Sequence, residues 1–303
     1  YTVETETFAL LNPTKEGFTF AGWSGTDLDG DANSTVIVAK GSTGERNYTA
    51  HWTPASGTGY TVEHYKQNLA DENYPGTATE SVPMTGTTEA NTEATVKDYP
   101  GFTAGTVTQS PISADGSTVV KIYYARNSYD LTVSYTGPAG VSVPGSRTQT
   151  LKFGAPYSVD SPAVTGYTPS RAAVAGIMGA DHKAETVVYS ANSYQVRFDS
   201  NGGDDGSAMP NESFRYDAEQ ALAGSTLTRR GYAFAGWNTE ADGSGSAYTD
   251  GASVSNLTAE ASGVVTLYAQ WTEADAVIGY LSADPAMGSV SSASETIKAA
   301  TGS

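Results

Sequence analysis

The chain has 303 residues, 38% of them hydrophobic and 16% charged, with 33 glycines, no cysteine and a formal net charge of -17. So small an apolar share suits several small modules better than one large core; the missing cysteine excludes disulfide scaffolds, thiolate metal sites and cysteine nucleophiles. The acidic balance excludes a nucleic-acid binder, no apolar run reaches the ~18 residues of a membrane span, and with no signal-peptide pattern at its start the chain reads as an internal piece of something longer.

In chain order, the first module is expected over residues 1–54. It carries Lys15-Glu-Gly-Phe-Thr-Phe-Ala-Gly-Trp23 and closes on Tyr48-Thr-Ala-His-Trp-Thr53. Between these, Asp27-Leu-Asp-Gly-Asp-Ala-Asn33 sets oxygen side chains at alternate positions, as a calcium loop of the EF-hand type does. Ala32 stands where the sharp-turn glycine belongs and Val38 where the bidentate glutamate belongs. Asp27, Asp29 and Asp31 therefore read as a solvated acidic turn, with a calcium site as the competing reading. Pro54-Ala-Ser-Gly-Thr-Gly59 reads as a flexible linker.

The second and third modules are expected over residues 60–127 and 128–192. Gly101-Phe102 recurs as Gly166-Tyr167, Tyr124 as Tyr189, and Asn127-Ser-Tyr129 as Asn192-Ser-Tyr194, all in one ungapped register. At the Asn-Ser-Tyr junctions the last strand of one module runs almost directly into the first of the next. The fourth module, residues 193–273, returns to the first pattern with Arg229-Arg-Gly-Tyr-Ala-Phe-Ala-Gly-Trp237 and Leu267-Tyr-Ala-Gln-Trp-Thr272. Residues 276–303 read as the start of a further repeat.

Within modules the apolar period is two. Val119-Val-Lys-Ile-Tyr-Tyr124, Val187-Val-Tyr189 and Val264-Val-Thr-Leu-Tyr268 are β-branched and aromatic runs of strand length. Asn201-Gly-Gly203, Ala114-Asp-Gly116 and Asp242-Gly243 are the turns between such runs. The best helix signal is Asp217-Ala-Glu-Gln-Ala-Leu-Ala-Gly224, with Asp217 as cap, Gln220 completing a capping box and Gly224 as terminator. The expected class is mainly β (β-rich α+β), each module a small sheet with at most one short helix.

Chemistry is sparse in this pattern. His51, His64 and His182 fall in different modules and in no metal-pair spacing, so they read as surface or strand-end residues. Ser244 lies in a flexible Gly-Ser turn and heads no nucleophile elbow. Asp204-Asp205 is a weaker oxygen pair than the Asp27 loop. No catalytic, cofactor-binding or metal residue is assigned, and no enzyme activity is expected. Trp23, Trp237, Trp52 and Trp271 recur at matching places beside Gly and Ala and read as core anchors. For the 19 tyrosines both readings stay open, core packing or a sugar-stacking platform, since a phenol can lie on a wet sheet face.

The first and fourth modules resemble the internalin B-repeat, also called the Listeria–Bacteroides repeat. The fourth shows Val196-Arg-Phe-Asp-Ser-Asn-Gly-Gly203, then Gly231-Tyr-Ala-Phe-Ala-Gly-Trp237 and Leu267-Tyr-Ala-Gln-Trp-Thr272. The first shows Asn12-Pro-Thr-Lys-Glu-Gly-Phe-Thr-Phe-Ala-Gly-Trp23 and lacks the opening strand. The second and third resemble, more weakly, the mucin-binding-protein (MucBP) repeat, through Tyr60-Thr-Val-Glu-His-Tyr65, Gly166-Tyr167 and Val187-Val-Tyr189. Ser282-Ala-Asp-Pro-Ala-Met-Gly-Ser-Val290 resembles the start of another repeat of such proteins. The resemblance implies tandem ubiquitin-like β-grasp modules in an elongated, monomeric rod within a longer, extracellular, cell-wall-attached protein. It implies a stalk or adhesive function, with no cofactor, no nucleic acid and no membrane insertion. The alternative is a module that itself binds mucin glycans or a host or other surface protein.

Overall fold

The computed structural model describes residues 1–204, 208–279 and 294–298. They form strands joined by turns, and no helix occurs among them. The chain divides into two compact units. The first holds Tyr1–Leu131, Thr148–Tyr157 and Ala175–Lys183; the second holds Thr132–Arg147, Ser158–Val174 and the chain from Ala184 onward.

In the first unit, β1 (Phe8–Ala9), β2 (Phe18–Gly25), β3 (Ile37–Val38) and β4 (Tyr48–Pro54) make two antiparallel pairs, β1 with β3 and β2 with β4. The register of β2 against β4 shifts between Phe20 and Gly22. This bulge needs glycine: Gly22 has φ +144°, and a Cβ there would lie 2.5 Å from the Ala32 carbonyl carbon.

Next come β5 (Thr58–Lys66), β6 (Glu80–Gly86), β7 (Phe102–Ala104) and β8 (Val119–Arg126), in sheet order β6-β5-β8-β7. The central pair is parallel, from Thr61↔Val119 to Lys66↔Tyr124, and the outer pairs are antiparallel. Alternation decides the two faces. Val120, Ile122 and Tyr124 point inward to join Tyr60, Val62 and Ile112, while Val119 and Tyr123 stay exposed. Pro83 is accommodated because β6 is an edge strand.

The third stretch, which the two units divide, contains β9 (Ser128–Thr136), β10 (Arg147–Lys152), β11 (Pro156–Asp160), β12 (Tyr167–Pro169), β13 (Ala173–Ile177) and β14 (Lys183–Ala191). Within the second unit β12 pairs antiparallel with β14, Tyr167 opposite Ala191. Val133, Tyr135, Val187 and Tyr189 are buried there.

The second unit continues with β15 (Ser193–Asp199), β16 (Glu212–Arg215), β17 (Gln220–Ala221), β18 (Tyr232–Asn238), β19 (Ala247–Tyr248), β20 (Ser253–Val254) and β21 (Val264–Glu273). Five of these form a sheet in the order β16-β15-β21-β18-β19, with β15 and β21 parallel and β17 paired to β20 alongside. Tyr194, Val196, Phe198, Phe214, Trp237 and Leu267 fill its core. A final hairpin joins β22 (Asp275–Gly279) to β23 (Ser294–Lys298). The expected further repeat lies mostly outside the described residues, including the whole of Ser282-Ala-Asp-Pro-Ala-Met-Gly-Ser-Val290.

Two expectations are corrected. Residues 217–224 form no helix: Asp217 adopts φ +55°, and Gln220 and Ala221 pair with Val254 and Ser253 as β17. Two helical turns are marginal without tertiary support, and here the backbone is already engaged, Tyr216 N–H by Asn192 and Leu222 N–H by Ala252. The helix that a β-grasp unit lays over its sheet thus has no counterpart among the described residues. Second, Pro54-Ala-Ser-Gly-Thr-Gly59 is not a free linker. Pro54 ends β4 and Thr58 opens β5. Ala55 donates its N–H to Gly17 O at 2.9 Å and accepts from Thr88 N–H at 3.0 Å.

Candidate functional site

The four tryptophans sit in two copies of one cluster. Phe20 lies edge-on between Trp23 and Trp52, with ring centroids at 5.4 and 5.7 Å. Phe234 repeats this between Trp237 and Trp271, at 5.0 and 5.7 Å. Trp237 is 1% exposed, whereas Trp23, Trp52 and Trp271 are half-buried. Trp23 Nε1 donates to Asn12 Oδ1 and Trp271 Nε1 to Ser200 O, both at 3.0 Å. These rings face their own repeat, Trp237 as a sealed core anchor and the other three at its rim.

A second aromatic group lies on the outward face of the β6-β5-β8-β7 sheet. Tyr65 and Tyr123 face each other across the parallel pair and stack at 5.0 Å, and Tyr74 meets Tyr123 edge-on at 4.9 Å. Tyr65 donates to Glu63 at 2.7 Å, which holds the Tyr65 hydroxyl above its ordinary pKa. Lys121 sits 5.5 Å from the Tyr65 centroid. Tyr123 is 42% exposed, but Tyr65 and Tyr74 cover it, so the group offers a ring edge and not an open stacking face.

The three histidines remain apart. His51 Nε2 lies 2.6 Å from Ser24 Oγ, and His182 Nδ1 accepts the Asp130 N–H at 3.0 Å. His64 departs from the surface expectation: it is 2% exposed, inward-facing on β5, with Nδ1 2.8 Å from Tyr124 Oη. Its burial lowers its pKa. Beside it Tyr99 donates to Glu80 at 2.5 Å, and Lys97 pairs with the same carboxylate. Those bonds hold Glu80 below its ordinary pKa, while burial, and then the Glu80 bond, raises that of Tyr99.

The acidic loop is organised from within. Asp27 adopts φ +61° and pairs with Arg46 at 2.6 Å. Asn33 Nδ2 donates to the carbonyls of Trp23, Asp29 and Gly30 at 2.9, 3.0 and 3.2 Å. Among the described residues no three Asp, Glu or His side chains gather where a metal ion would be held. Asp204 accepts the Arg230 N–H at 3.1 Å, and Asp205 lies outside the described residues. Ser244 Oγ donates to Asp242 at 2.6 Å and closes a turn. Arg229 lies over the Tyr232 ring at 4.0 Å.

A concave feature lies in the second unit. It has a volume near 360 Å³ and is lined by Pro138, Val141, Tyr167, Arg215, Tyr216 and Asp217 among others. Tyr167 donates to Asp217 at 2.6 Å and meets Tyr216 edge-on at 5.8 Å. The Asp217 bond raises the Tyr167 pKa to about 12, and the same bond with that from Asn256 lowers Asp217. The sequence singled out Tyr167 and Asp217 for other reasons, as a repeat landmark and a helix cap. Tyr216 was missed because no periodic pattern marks it.

Residues 1–51 and 194–270 match the model of the Listeria–Bacteroides repeat domain, and these two segments are such repeats. A protein of Evansella cellulosilytica named as a membrane protein is 44% identical over 94 residues, 31% of this chain and 14% of that protein. Another, named as a Gly-rich membrane protein, is 43% identical over 96 residues, 31% of this chain and 11% of its own length. The chain therefore spans a small fraction of these relatives. Among solved structures, the type 2 repeat of the mucus binding protein MUB from Lactobacillus reuteri is 12% identical, covering 44% of this chain and 100% of that one, with a TM-score of 0.19. The Bacillus anthracis TIE protein is 8% identical, covering 78% of this chain and 55% of that one, with a TM-score of 0.34.

Proposed function

We propose that this chain, with its two Listeria–Bacteroides repeats, is a non-catalytic stalk and adhesion-repeat segment of a bacterial cell-surface protein. It stands outside the cell and is tied to the wall through regions beyond these residues. One observation carries the reading: successive sheets join with almost no slack. A single residue, Asn127, separates β8 from β9, and Asn192 separates β14 from β15. Both asparagines are bonded on either side by backbone groups. Short, pinned junctions suit a spacer, whose task is to hold length against bending. Small-angle scattering of the chain tests this, with an extended monomer expected; a compact particle rejects the stalk.

The second reading is direct binding of a mucin glycan or a host surface protein, favoured by the cleft at Tyr167, Arg215 and Tyr216. Its concave wall, which sets aromatic rings beside Arg215 and Asp217, has the general form of a small-ligand site. With a net charge of -17, the chain repels sialylated or sulfated mucin. Any affinity of the whole protein then arises from many weak sites acting together. Binding of the monomeric chain to immobilised mucin is expected to be weaker than about 10 μM. Tighter, saturable binding abolished by Tyr216→Ala replaces the stalk with the binding module.

A further inference from the structure

Three successive junctions are built from one set of backbone bonds. At each, a Gly–aromatic turn closes by an aromatic N–H donating three residues back: Phe18 to Lys15 at 3.1 Å, Phe102 to Tyr99 at 3.0 Å and Tyr167 to Val164 at 3.0 Å. The glycine carbonyl then accepts the N–H of the residue at the end of that sheet's last strand. These bonds run from Ala55 to Gly17 at 2.9 Å, Asn127 to Gly101 at 2.9 Å and Asn192 to Gly166 at 2.8 Å. The carbonyl of that terminal residue accepts an N–H from the next hairpin: Thr88 at 3.0 Å, Phe153 at 2.8 Å and Tyr216 at 2.9 Å.

The hairpin side is equally regular. The residue after each donor is left-handed, Glu89 at φ +66°, Gly154 at +76° and Asp217 at +55°. An alanine follows each time, and Ala90, Ala155 and Ala218 close a turn onto Thr87, Lys152 and Arg215 at 3.1, 3.0 and 3.3 Å. The glycines are left-handed too, Gly101 at φ +85° and Gly166 at +78°, and each lies against a ring of the next hairpin. A Cβ on Gly101 would lie 2.4 Å from Cγ of Phe153, and one on Gly166 2.2 Å from Cδ1 of Tyr216, both too close to be tolerated. At the first junction the donor is small; Thr88 Oγ1 instead donates to Gly17 O at 2.6 Å, and Ala114 covers the glycine.

We infer that residues 88–90, 153–155 and 216–218 are one interchangeable plug and the Gly–aromatic turns one socket, a docking surface whose partner is the next repeat of either kind. The recognition is by backbone. The socket supplies a carbonyl and a glycine with no side chain, and the plug supplies an N–H and a residue that accepts positive φ. Thr, Phe and Tyr serve as the donor residue equally. The pairings already span both repeat kinds. The socket at Gly17 lies in one Listeria–Bacteroides repeat, and the plug at Tyr216 lies in the other. Each meets a partner from the middle of the chain. Gly231 carries the same socket bonds, with φ +79°, Tyr232 N–H on Arg229 O and Ala274 N–H on Gly231 O, both at 3.0 Å. The surface thus makes the order of repeats free while keeping their joints alike.

The chain has no cysteine, so introduced pairs are unique. Val188→Cys with Val264→Cys, two exposed positions on either side of the third junction, take nitroxide labels in the full chain. Pulsed electron resonance then reads the width of the distance distribution. Tyr216→Phe with Asp217→Gly installs the plug of the preceding junction and is expected to leave the distribution as narrow as the parent's. Gly166→Val obstructs the socket and is expected to broaden it, while amide exchange of Tyr189 and Val196 shows both sheets intact. If Gly166→Val loses that protection, Tyr216→Pro, which removes the N–H donated to Asn192 O, decides instead, broadening for the inference and an unchanged width against it. The inference is also overturned if the exchanged plug broadens the distribution as much as Gly166→Val does, or if Gly166→Val leaves it narrow with both sheets protected.

Discussion

The two Listeria–Bacteroides repeats carry the same Gly-aromatic-x-Phe-Ala-Gly-Trp hairpin and differ in how much of it is covered. In residues 194–270, β15 lies parallel to β21, and Phe198 packs 4.8 Å from Trp237. The ring is sealed, and its Nε1 has no hydrogen-bond partner among the described residues. In residues 1–51, β4 pairs with β2 alone among the described residues, and Trp23 stays half-buried with its Nε1 on Asn12. The same residues thus give a core anchor in one repeat and a rim residue in the other. The comparison teaches that burial belongs to the neighbouring strand and not to the motif. An extra strand gains apolar burial and forfeits a polar contact.

The sharpest break of this comparison is Trp237→Ala against Trp23→Ala. The first is expected to cost about 3–5 kcal/mol, as large-to-small changes in sealed cores do. The half-buried Trp23 is expected to cost roughly 1–3 kcal/mol. Exchange of the β15–β21 and β2–β4 amides reads each repeat separately, and equal losses would show that the added strand does not set burial. Next is the bulge common to both hairpins. Gly236 has φ +133°, with a would-be Cβ 2.6 Å from Tyr248 O. Gly236→Ala and Gly22→Ala are expected to cost about 2 kcal/mol each. Matching losses in chemical denaturation would sharpen the view that the hairpin is common and only its cover differs.

Asn12→Ala is expected to cost about 1 kcal/mol, because Trp23 Nε1 loses its acceptor and Ser34 O loses the Asn12 donor at 3.0 Å. No loss would mean that the indole finds solvent easily and that Trp237 forfeits little by being sealed. The smallest effect concerns pH and sets both repeats beside the sheet between them. Burial lowers the pKa of His64 below the ordinary 6.5, so the unfolded chain takes up a proton before the folded one. The stability is present above pH ~6.5 and is lost as pH falls from there toward the folded value. A decline in that window, confined to β5 and β8 amides and absent in His64→Gln, is the expected result. A decline that persists in the variant assigns it to other groups.

Much of this was legible in the residues. The nine-residue motif announced two equal hairpins, and each returned with its Phe between two Trp. The register linking Gly101 to Gly166 and Asn127 to Asn192 was real down to single bonds: Thr103 and Thr168 each donate to the junction asparagine at 2.6 Å. What escaped notice was Thr88-Glu-Ala90, Phe153-Gly-Ala155 and Tyr216-Asp-Ala218. Phe153 follows Thr88 by the same interval that separates the two asparagines. The signal was faint because backbone groups do the work there and side-chain identity is nearly free. His64 escaped for the converse reason, since a polar residue at an inward position of β5 becomes buried only once Tyr99 and Tyr124 close over it, 6.2 and 5.7 Å away.

By itself the sequence determined most of the strands and their turns, because period-two alternation, glycines and asparagines act on the chain within a few residues of where they stand. The tertiary structure alone decided which strand lies beside which, and so which tryptophan is sealed. It also decided that residues 217–224 extend instead of coiling, since Tyr216 and Leu222 already give their N–H groups to distant carbonyls. A helix of two turns has no local energy to win them back.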